Sequence, residues 1–274
     1  TILKVLHRTP QEVDPNLRGK AGALQYGIDH AGGEIVVMTD ADCVVNTQWI
    51  RAMVSPFTDP SVGIVNAMTS VGGNRIFDRI QDVEWTYTEV MACGGVGNNT
   101  PLGCFGNNLA IRRQVFNDLG GYRSIPFSVT EDMALQLAVH EAGHTVRYLI
   151  RPDITVVTNP CTTLLEYIKQ HHRWVRGGTG LGMRAFWFVL TSIALWAGFA
   201  LSAMTGSWIW FWSFLALRLL ADGALISSAA LAIGRPRIIP MIIPAMLLLM
   251  STELFLPMLA LKKQVTWKGQ VFKN

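Results

Sequence analysis

Charged residues are scarce in this chain, and one long part of it has almost none. Of its 274 residues, 15% are charged and 50% are hydrophobic, and the mean hydropathy is +0.30. This composition excludes an ordinary soluble protein. Between residues 185 and 261 the only charged residues are Arg218, Asp222, Arg235, Arg237 and Glu253. The sequence therefore predicts a domain of mixed composition, residues 1–180, followed by a membrane-like block.

Cysteine is rare too: the chain has four, Cys43, Cys93, Cys104 and Cys161. They form no CxxC pair and no framework of close spacings, which argues against a disulfide scaffold and predicts a reduced domain that faces the cytosol. The net charge of +4 does not indicate a nucleic-acid partner, because the basic residues cluster at 169–184 and 262–273. These two clusters flank the apolar block, as expected beside anionic lipid headgroups.

The apolar block divides into three segments, about 185–206, 207–233 and 238–261. Each is close to the roughly 20 residues that a helix needs to cross a hydrocarbon core. Arg218 and Asp222 lie one helical turn apart, and their pairing would reduce the cost of charge inside the bundle. The basic residues on both sides of the block, including the tail 262–274, predict cytosolic ends and an even number of crossings. Three segments are odd, so one lies in the interface or re-enters, and the sequence leaves open which.

The first part of the chain alternates between helix and strand patterns. A short helix, "AGALQYGIDHA" (21–31), is closed by two glycines and followed by the apolar strand "EIVVMTD" (34–40). Further on, "VGIVNAMTSV" (62–71) is predicted as a strand and "NRIFDRIQDVEWTYTEVMACGG" (74–95) as a helix. The alternation predicts an α/β fold with a mostly parallel sheet, whose ligands bind at the carboxyl ends of the strands.

The strand "EIVVMTD" leads into two carboxylates, Asp40 and Asp42, with Ala41 between them. Side chains alternate along a strand, so both carboxylates would point the same way at the rim of the sheet. They would repel each other unless a cation lies between them. Mg²⁺ or Mn²⁺ accepts carboxylate oxygens while it also holds a diphosphate. An ordinary Asx-turn at the end of a strand is the alternative.

Five elements occur together in one order: "GKAGALQYGI" (19–28), "DAD" (40–42), "GCFGNNLAIRR" (103–113), "TED" (130–132) and "QHHRW" (170–174). They resemble the membrane-associated family 2 glycosyltransferases, a group that includes cellulose, chitin and hyaluronan synthases and many lipid glycosyltransferases. The resemblance covers roughly residues 1–180 and implies a Rossmann-like, nucleotide-sugar-binding domain of the GT-A type. It also implies that the family's first strand and helix precede Thr1, so we expect an N-terminally truncated fragment.

The resemblance implies roles for the donor and catalytic residues. Asp132 is the expected base that deprotonates the acceptor hydroxyl, and Glu131 is second. Taken alone, both also fit ordinary carboxylates at a helix N-terminus, which the helix dipole favours. Asp40 would face the nucleotide and, together with Asp42, would hold Mg²⁺ or Mn²⁺. Lys20 would lie near the nucleotide, unless it is only a solvated lysine in a loop.

The "QHHRW" element is predicted to lie on an amphipathic helix just before the membrane block. The resemblance implies that Gln170 hydrogen-bonds, that Arg173 neutralises the leaving diphosphate, and that Trp174 stacks on a sugar at the acceptor site. Without that resemblance, a basic and aromatic cluster beside a membrane is more typical of a headgroup anchor. His171 and His172 match no required position and are predicted to be interface residues.

The turn in "GCFGNNLAIRR" resembles the segment that lines the acceptor pocket of the synthases. Phe105, Gly106 and Asn107 would then contact the acceptor. Gly106 equally fits a simple turn with a positive φ, so the two interpretations stay open at this stage.

One motif is not taken at face value. "HEAGH" (140–144) matches the HExxH pattern of zinc proteases, which needs both histidines on one face of a continuous helix. Gly143 instead indicates the end of a helix, and the residues after it have the pattern of a strand. We therefore predict a helix C-terminus here and no zinc site.

These features predict a membrane-integral, metal-dependent, inverting glycosyltransferase that uses a nucleotide sugar, a UDP-hexose or UDP-N-acetylhexosamine. A lipid or polyprenyl-linked acceptor is favoured, because the membrane block is small and the tail "VTWKGQVFKN" (265–274) resembles the ending of lipid-type enzymes. A processive polysaccharide synthase and a non-catalytic scaffold or transport subunit are the alternatives. The catalytic domain is expected to face the cytoplasm at the plasma membrane of a prokaryote, with no nucleic-acid partner.

Overall fold

The computed structural model describes residues 4–7, 14, 16–262, 264–267 and 270–273. The helices are α1 (Gly19–Asp29), α2 (Trp49–Val54), α3 (Ile76–Gly97), α4 (Arg113–Asp118), α5 (Glu131–Glu141), α6 (Leu164–Gly178), α7 (Phe186–Met204), α8 (Trp208–Ala232) and α9 (Ile242–Leu261). The strands are β1 (Ile35–Met38), β2 (Val62–Ala67), β3 (Thr69–Val71), β4 (Leu109–Arg112), β5 (Thr145–Leu149), β6 (Val156–Thr158), β7 (Gln264–Trp267) and β8 (Gln270–Lys273). Most of residues 1–15 and part of the tail 262–274 lie outside the described residues.

Four strands form the main sheet, in the spatial order β1–β4–β2–β5. β4 is antiparallel to both β1 and β2, whereas β2 is parallel to β5. Three of the four strands therefore run in one direction, and β4 is the reversed one. Two smaller sheets pair β3 with β6 in parallel and β7 with β8 in antiparallel orientation. The prediction of an α/β fold is confirmed.

Both faces of the main sheet are covered, because its central strands carry apolar side chains on both sides. Ile64 of β2 and Ile111 of β4 belong to a core that also contains residues of α1, α4 and α5. Val65 and Ala110, the next residues along, belong to a second core that contains residues of α2. The period-two alternation of a strand thus divides consecutive residues between two cores.

The buried side chain of Asn108 joins three segments at the start of β4. Its Oδ1 accepts a hydrogen bond from Trp49 Nε1 at 2.9 Å. Its Nδ2 donates to the carbonyl oxygens of Met68 at 2.8 Å and Ile154 at 2.9 Å. These three hydrogen bonds therefore hold the end of the turn at residues 103–107 in place.

α3 connects the sheet part of the molecule to the apolar helices. Residues 81–87 are all buried, so the helix has no solvent face over almost two turns. Val83 and Tyr87 pack in a cluster with residues of α8 and α9. Asp82 forms an ion pair of 3.0 Å with Arg235, which follows α8. The helix is therefore held by both apolar packing and a buried charge pair.

Three helical segments are long and apolar enough to cross a membrane: Leu164–Met204, Trp208–Ala232 and Pro236–Phe255. Three such segments were predicted. The first includes the amphipathic α6, but Gly182, with a non-helical φ of +53°, separates it from the apolar α7, which begins at Phe186, close to the predicted start at about residue 185. Arg218 pairs with Asp222, as predicted, and also with Glu253 of α9 at 2.8 Å. The number of crossings, their orientation and the division at residue 180 stay predictions.

Candidate functional site

A cleft of about 210 Å³ opens where the first turns of α1 and α5, the end of β1 and the loop before β4 meet α3 and α6. Nearly all predicted site residues line it: Lys20, Asp40, Phe105, Gly106, Asn107, Glu131, Asp132, Arg173 and Trp174. Asp42 and Gln170 do not. A larger cavity of about 510 Å³ lies near His140 and His144, but none of the predicted site residues lines it.

The carboxylate of Asp132 is held in place by backbone groups. Its Oδ2 accepts a hydrogen bond from the N–H of Gly106 at 2.6 Å, and its Oδ1 accepts one from the N–H of Met133 at 2.8 Å. The residue lies in the first turn of α5, where the helix dipole favours negative charge. A methyl group on Gly106 would lie 3.0 Å from the Cβ of Asp132, so an alanine here would press on the carboxylate side chain. Gly106 is not among the glycines with a positive φ, so its interpretation as a turn of that kind is wrong, and its contact with the acceptor stays a prediction.

Lys20 links two carboxylates from different elements. Its Nζ lies 2.7 Å from an oxygen of Asp40 and 3.5 Å from one of Glu131. Burial opposes its positive charge, but the carboxylates of Glu131, Asp40 and Asp132 outweigh that effect and raise the pKa of Lys20. Lys20 lies in the first turn of α1 rather than in the predicted loop. It is a charged residue of the cleft, not a solvated one.

Glu131 is buried beside Asp132 at the start of α5. Burial, together with the charge of Asp132, raises the pKa of Glu131 to about 7, although Lys20 acts in the opposite direction. A carboxyl group with such a pKa exchanges its proton near neutral pH. The cleft therefore contains two neighbouring carboxylates in different surroundings, one bonded to backbone N–H groups and one facing a lysine.

Asp40 and Asp42 lie in a turn and not on a strand. β1 ends at Met38, and the chain then turns, with the N–H of Cys43 donating to the carbonyl oxygen of Asp40 at 3.1 Å. The strand stops before the first carboxylate, so the prediction that strand alternation orients both residues is wrong. Asp40 faces Lys20 in the cleft, and Asp42 is exposed next to it.

The donor chemistry at this turn fits a divalent cation that a substrate completes. Among the described residues, no group of three or more His, Cys, Asp or Glu side chains could hold a metal ion. Asp40 and Asp42 offer hard carboxylate oxygens only. Mg²⁺ is usually held by one or two carboxylates together with substrate phosphates. These two residues therefore suit a shared site better than an all-protein one.

"HEAGH" ends a helix, as predicted. α5 stops at Glu141 and β5 starts at Thr145, with Gly143 between them at a φ of +85°. His140 therefore lies on α5 and His144 in the connection to β5, so the two do not share a helical face. The zinc-protease pattern has no structural counterpart here.

Three aromatic rings form one wall of the cleft. The ring of Trp85 lies 5.3 Å from that of Phe105 and 5.3 Å from that of Trp174, and the last two are 6.1 Å apart. Such tilted and edge-to-face contacts are the favourable ones between aromatic rings. Trp85 was missed in the sequence. A signal was present, because this tryptophan lies off the apolar stripe of α3 that Val83 and Tyr87 belong to.

α6 presents Arg173 and Trp174 to the cleft but turns its other predicted residue away. Gln170 accepts a weak hydrogen bond from the Sγ of Cys161 at 3.6 Å and does not line the cleft. His171 and His172 are buried, so their prediction as interface residues is wrong. The physical reason is that α6 packs on α3 and α9, which cover the faces that were expected to meet lipid.

The comparison with known families adds to this geometry. Residues 6–274 match the model of glycosyl transferase family 21. The chain belongs to glycosyl transferase family 21. The predicted resemblance to membrane-associated glycosyltransferases is thereby confirmed.

Curated relatives agree with this family. The chain is 28% identical over 183 residues to a beta-monoglucosyldiacylglycerol synthase of Trichormus variabilis, covering 64% of this chain and 36% of that protein. It is 28% identical over 180 residues to a poly-beta-1,6-N-acetyl-D-glucosamine synthase of Staphylococcus epidermidis, covering 62% of this chain and 41% of that protein. The matched part spans well under half the length of these relatives. Together with three apolar helices, these similarities support membrane association.

Proposed function

We propose that the protein transfers a sugar from a nucleoside diphosphate donor, a UDP-hexose or UDP-N-acetylhexosamine, to a hydroxyl group of a lipid or polyprenyl-linked acceptor, with inversion at the anomeric carbon. The set of residues that lines the cleft is the main observation that supports this proposal. Two carboxylates, a lysine, an arginine and a wall of aromatic rings line one cavity, and α6 continues from it into the first apolar segment. Family membership supports the reaction class.

Asp132 acts as the base in this proposal. It takes the proton from the acceptor hydroxyl as that oxygen attacks the anomeric carbon. The hydrogen bond of 2.6 Å from Gly106 fixes one oxygen of the carboxylate, which gives the other a constant direction. Glu131 is the second candidate, because a pKa of about 7 suits proton transfer near neutral pH. Its carboxylate, however, faces Lys20.

The leaving nucleoside diphosphate needs positive charge. Arg173 supplies a permanent one and can form a fork of hydrogen bonds to phosphate oxygens. Asp40 and Asp42 would hold Mg²⁺ or Mn²⁺, which when bound neutralises the diphosphate. Lys20 keeps Asp40 oriented through their 2.7 Å contact, on the nucleotide side of the cleft. Gln170 lies one turn before Trp174 on α6 but does not line the cleft, so this proposal gives it no contact with the donor.

The acceptor enters along the aromatic wall in this proposal. Trp174 and Phe105, with Gly106 and Asn107, line this part of the cleft. Stacking of a sugar or packing of an apolar chain on such rings is favourable. The helix that carries Trp174 continues through a 3₁₀ stretch into the apolar α7, so a lipid headgroup reaches the cleft from the membrane surface. This continuity favours a lipid acceptor, and we propose that the cleft faces the cytoplasm.

A processive polysaccharide synthase is the second candidate, because one group of relatives carries that name. A full-length preparation in lipid nanodiscs, supplied with Mg²⁺ or Mn²⁺ and radiolabelled UDP-glucose, UDP-N-acetylglucosamine or UDP-galactose, separates the two. Label in the organic phase supports lipid transfer, and label in an aqueous polymer of many sizes supports the synthase. No label in either phase and no release of UDP would contradict both and favour a non-catalytic scaffold.

The same assay tests the base. Asp132→Asn is expected to lower kcat by about 100-fold or more while donor binding is kept. The matched control is Glu141→Gln, a substitution on the same helix whose side chain is 59% exposed, which is expected to leave turnover unchanged. If Glu131→Gln abolishes transfer and Asp132→Asn does not, the two carboxylates have exchanged roles.

A further inference from the structure

A buried histidine and glutamate lie directly behind the aromatic wall. The Nε2 of His171 is 2.5 Å from an Oε1 of Glu84, and the two side chains are 9% and 4% exposed. His171 belongs to α6 and Glu84 to α3. These are the two helices that carry Trp174 and Trp85. The proposed transfer reaction assigns no part to either member of the pair.

The hydrogen bonds of His171 imply that one proton lies between His171 and Glu84. The Nδ1 of His171 lies 2.8 Å from the carbonyl oxygen of Tyr167, and a carbonyl oxygen only accepts, so Nδ1 carries a hydrogen. Nε2 therefore either donates to a Glu84 carboxylate, as an imidazolium, or accepts from a protonated one. In both cases one proton lies on the short contact. The other oxygen of Glu84 has no hydrogen-bond partner among the described residues.

The imidazole ring is also part of an aromatic stack. Its centroid lies 4.0 Å from the ring of Tyr167 and 5.0 Å from the ring of Trp174. Trp174 is three residues after His171, so both project from the same face of α6. Trp174 is thus flanked by His171 on one side and by the ring of Trp85, 5.3 Å away, on another. Rotation of the imidazole would remove a neighbour of Trp174.

We propose that Glu84 and His171 are positioning residues that lock Trp174 and Trp85 into the acceptor side of the cleft. The hydrogen bond between Glu84 and His171 joins α3 to α6 at the level of the two indole rings, because Glu84 immediately precedes Trp85. The pair therefore sets the geometry of the wall and not the chemistry of the transfer. This inference rests on the proposed function for its kinetic consequence and deepens that function on the acceptor side.

The chain offers a matched control for this pair. His172 is the next residue on α6, is equally buried, and contacts the carbonyl oxygen of Lys262 at 2.8 Å through its Nε2. No ring contact joins it to Trp174 among the described residues. His171→Gln and His172→Gln therefore remove one buried imidazole each, from the same helix, with different neighbours.

The kinetic experiment measures KM for acceptor and donor separately in nanodiscs. His171→Gln and Glu84→Gln are each expected to raise the acceptor KM about tenfold, with donor KM within about twofold, since small misplacements of binding groups have effects of this size or larger. The double variant is expected to be no worse than either single one, because both remove the same contact. His172→Gln is expected to leave the acceptor KM unchanged. An unchanged acceptor KM in His171→Gln, or an equal rise in His172→Gln, would overturn the inference.

A second readout does not depend on activity. The protein is labelled with 5-fluorotryptophan, and the ¹⁹F resonances of Trp85 and Trp174 are assigned by Trp→Phe substitutions. Both resonances are expected to shift and broaden in His171→Gln and to stay unchanged in His172→Gln. If the wild type transfers no sugar but the resonances respond in this way, the proposed function fails and the positioning role stands. If transfer is present and the resonances do not respond, only the positioning role fails.

Discussion

Glu131→Gln tests whether a buried carboxylate in the cleft destabilises the fold at neutral pH. The side chain of Glu131 is 10% exposed, and its pKa is about 7 against an ordinary value of 4.5. Each pH unit between the pKa values of the folded and unfolded states corresponds to about 1.4 kcal/mol. The ionised carboxylate therefore costs the folded state roughly 3 kcal/mol. Lys20 keeps its shorter contact with Asp40 in the variant, so no lysine is left without a partner.

The sign follows from where the proton is bound. Well below pH 4.5 both states are protonated at Glu131, and the free energy of unfolding carries no cost. As the pH rises from 4.5 to 7 the unfolded state releases its proton first, so the stability of the folded protein falls, and above pH 7 the whole cost is present. Glutamine resembles the protonated carboxyl group at every pH. We expect equal melting temperatures at low pH and a variant that melts about 6 to 12 °C higher at pH 8.

The assay is thermal unfolding of the full-length protein in nanodiscs, followed by tryptophan fluorescence at pH 4.5, 6 and 8. Glu141→Gln is the matched control, since its side chain is on the same helix but 59% exposed. It is expected to show no difference that depends on pH. A Glu131→Gln variant that melts below the wild type at pH 8 would refute the reasoning. That result would mean that Lys20 stabilises an ionised Glu131 by more than burial opposes it.

Three further predictions concern packing and the cation. Gly177→Ala is expected to lower the free energy of unfolding by about 1 to 3 kcal/mol, because the new methyl group would overlap the side chain of Thr130. The control is Gly178→Ala, whose methyl group would meet no atom within 4 Å and which is expected to be neutral or stabilising. Denaturant titration compares the two variants. Asn108→Ala is expected to cost about 2 to 4 kcal/mol in the same titration, because it removes three buried hydrogen bonds, those of Trp49 Nε1, the Ile154 carbonyl oxygen and the Met68 carbonyl oxygen, of which the Met68 oxygen alone keeps another donor, the N–H of Val156. Removal of divalent cations by EDTA is expected to lower the transfer of label at least about 100-fold, and added Mn²⁺ is expected to restore it. Full activity in EDTA would contradict the proposed role of a divalent cation.

Sequence patterns predicted those helices whose apolar periodicity and end signals indicate the same boundaries. α3, α5 and α6 were recognised because their apolar spacing, an acidic first turn or a terminal glycine point to the same boundaries. Arg218 and Asp222 were paired correctly, since a separation of four residues on a helix almost fixes the contact. The assembly of the cleft followed from motifs whose residues meet only in three dimensions, and the resemblance to a family, not local chemistry, brought them together.

The sequence could not predict what depends on the exact end of an element or on a distant partner. Asp40 and Asp42 were expected to share a strand face, but β1 ends at Met38 and both residues lie in the turn that follows. His171 was assigned to the interface because nothing in the local sequence reveals that α3 would cover it with Glu84. Contacts between residues far apart in the chain leave no periodic trace, so no window of sequence contains them.

Between residues 81 and 87, every side of α3 is buried against another part of the protein. One side belongs to the cleft wall and the other to the packing against α8 and α9. A membrane of a different thickness tilts apolar helices at a modest energetic cost, and α3 would follow such a tilt as a rigid rod. Trp85 would move with it, without any hinge. The thickness of the membrane would then affect the shape of the cleft, because one short stretch of α3 packs against the apolar helices through Val83 and Tyr87 and lines the cleft through Trp85.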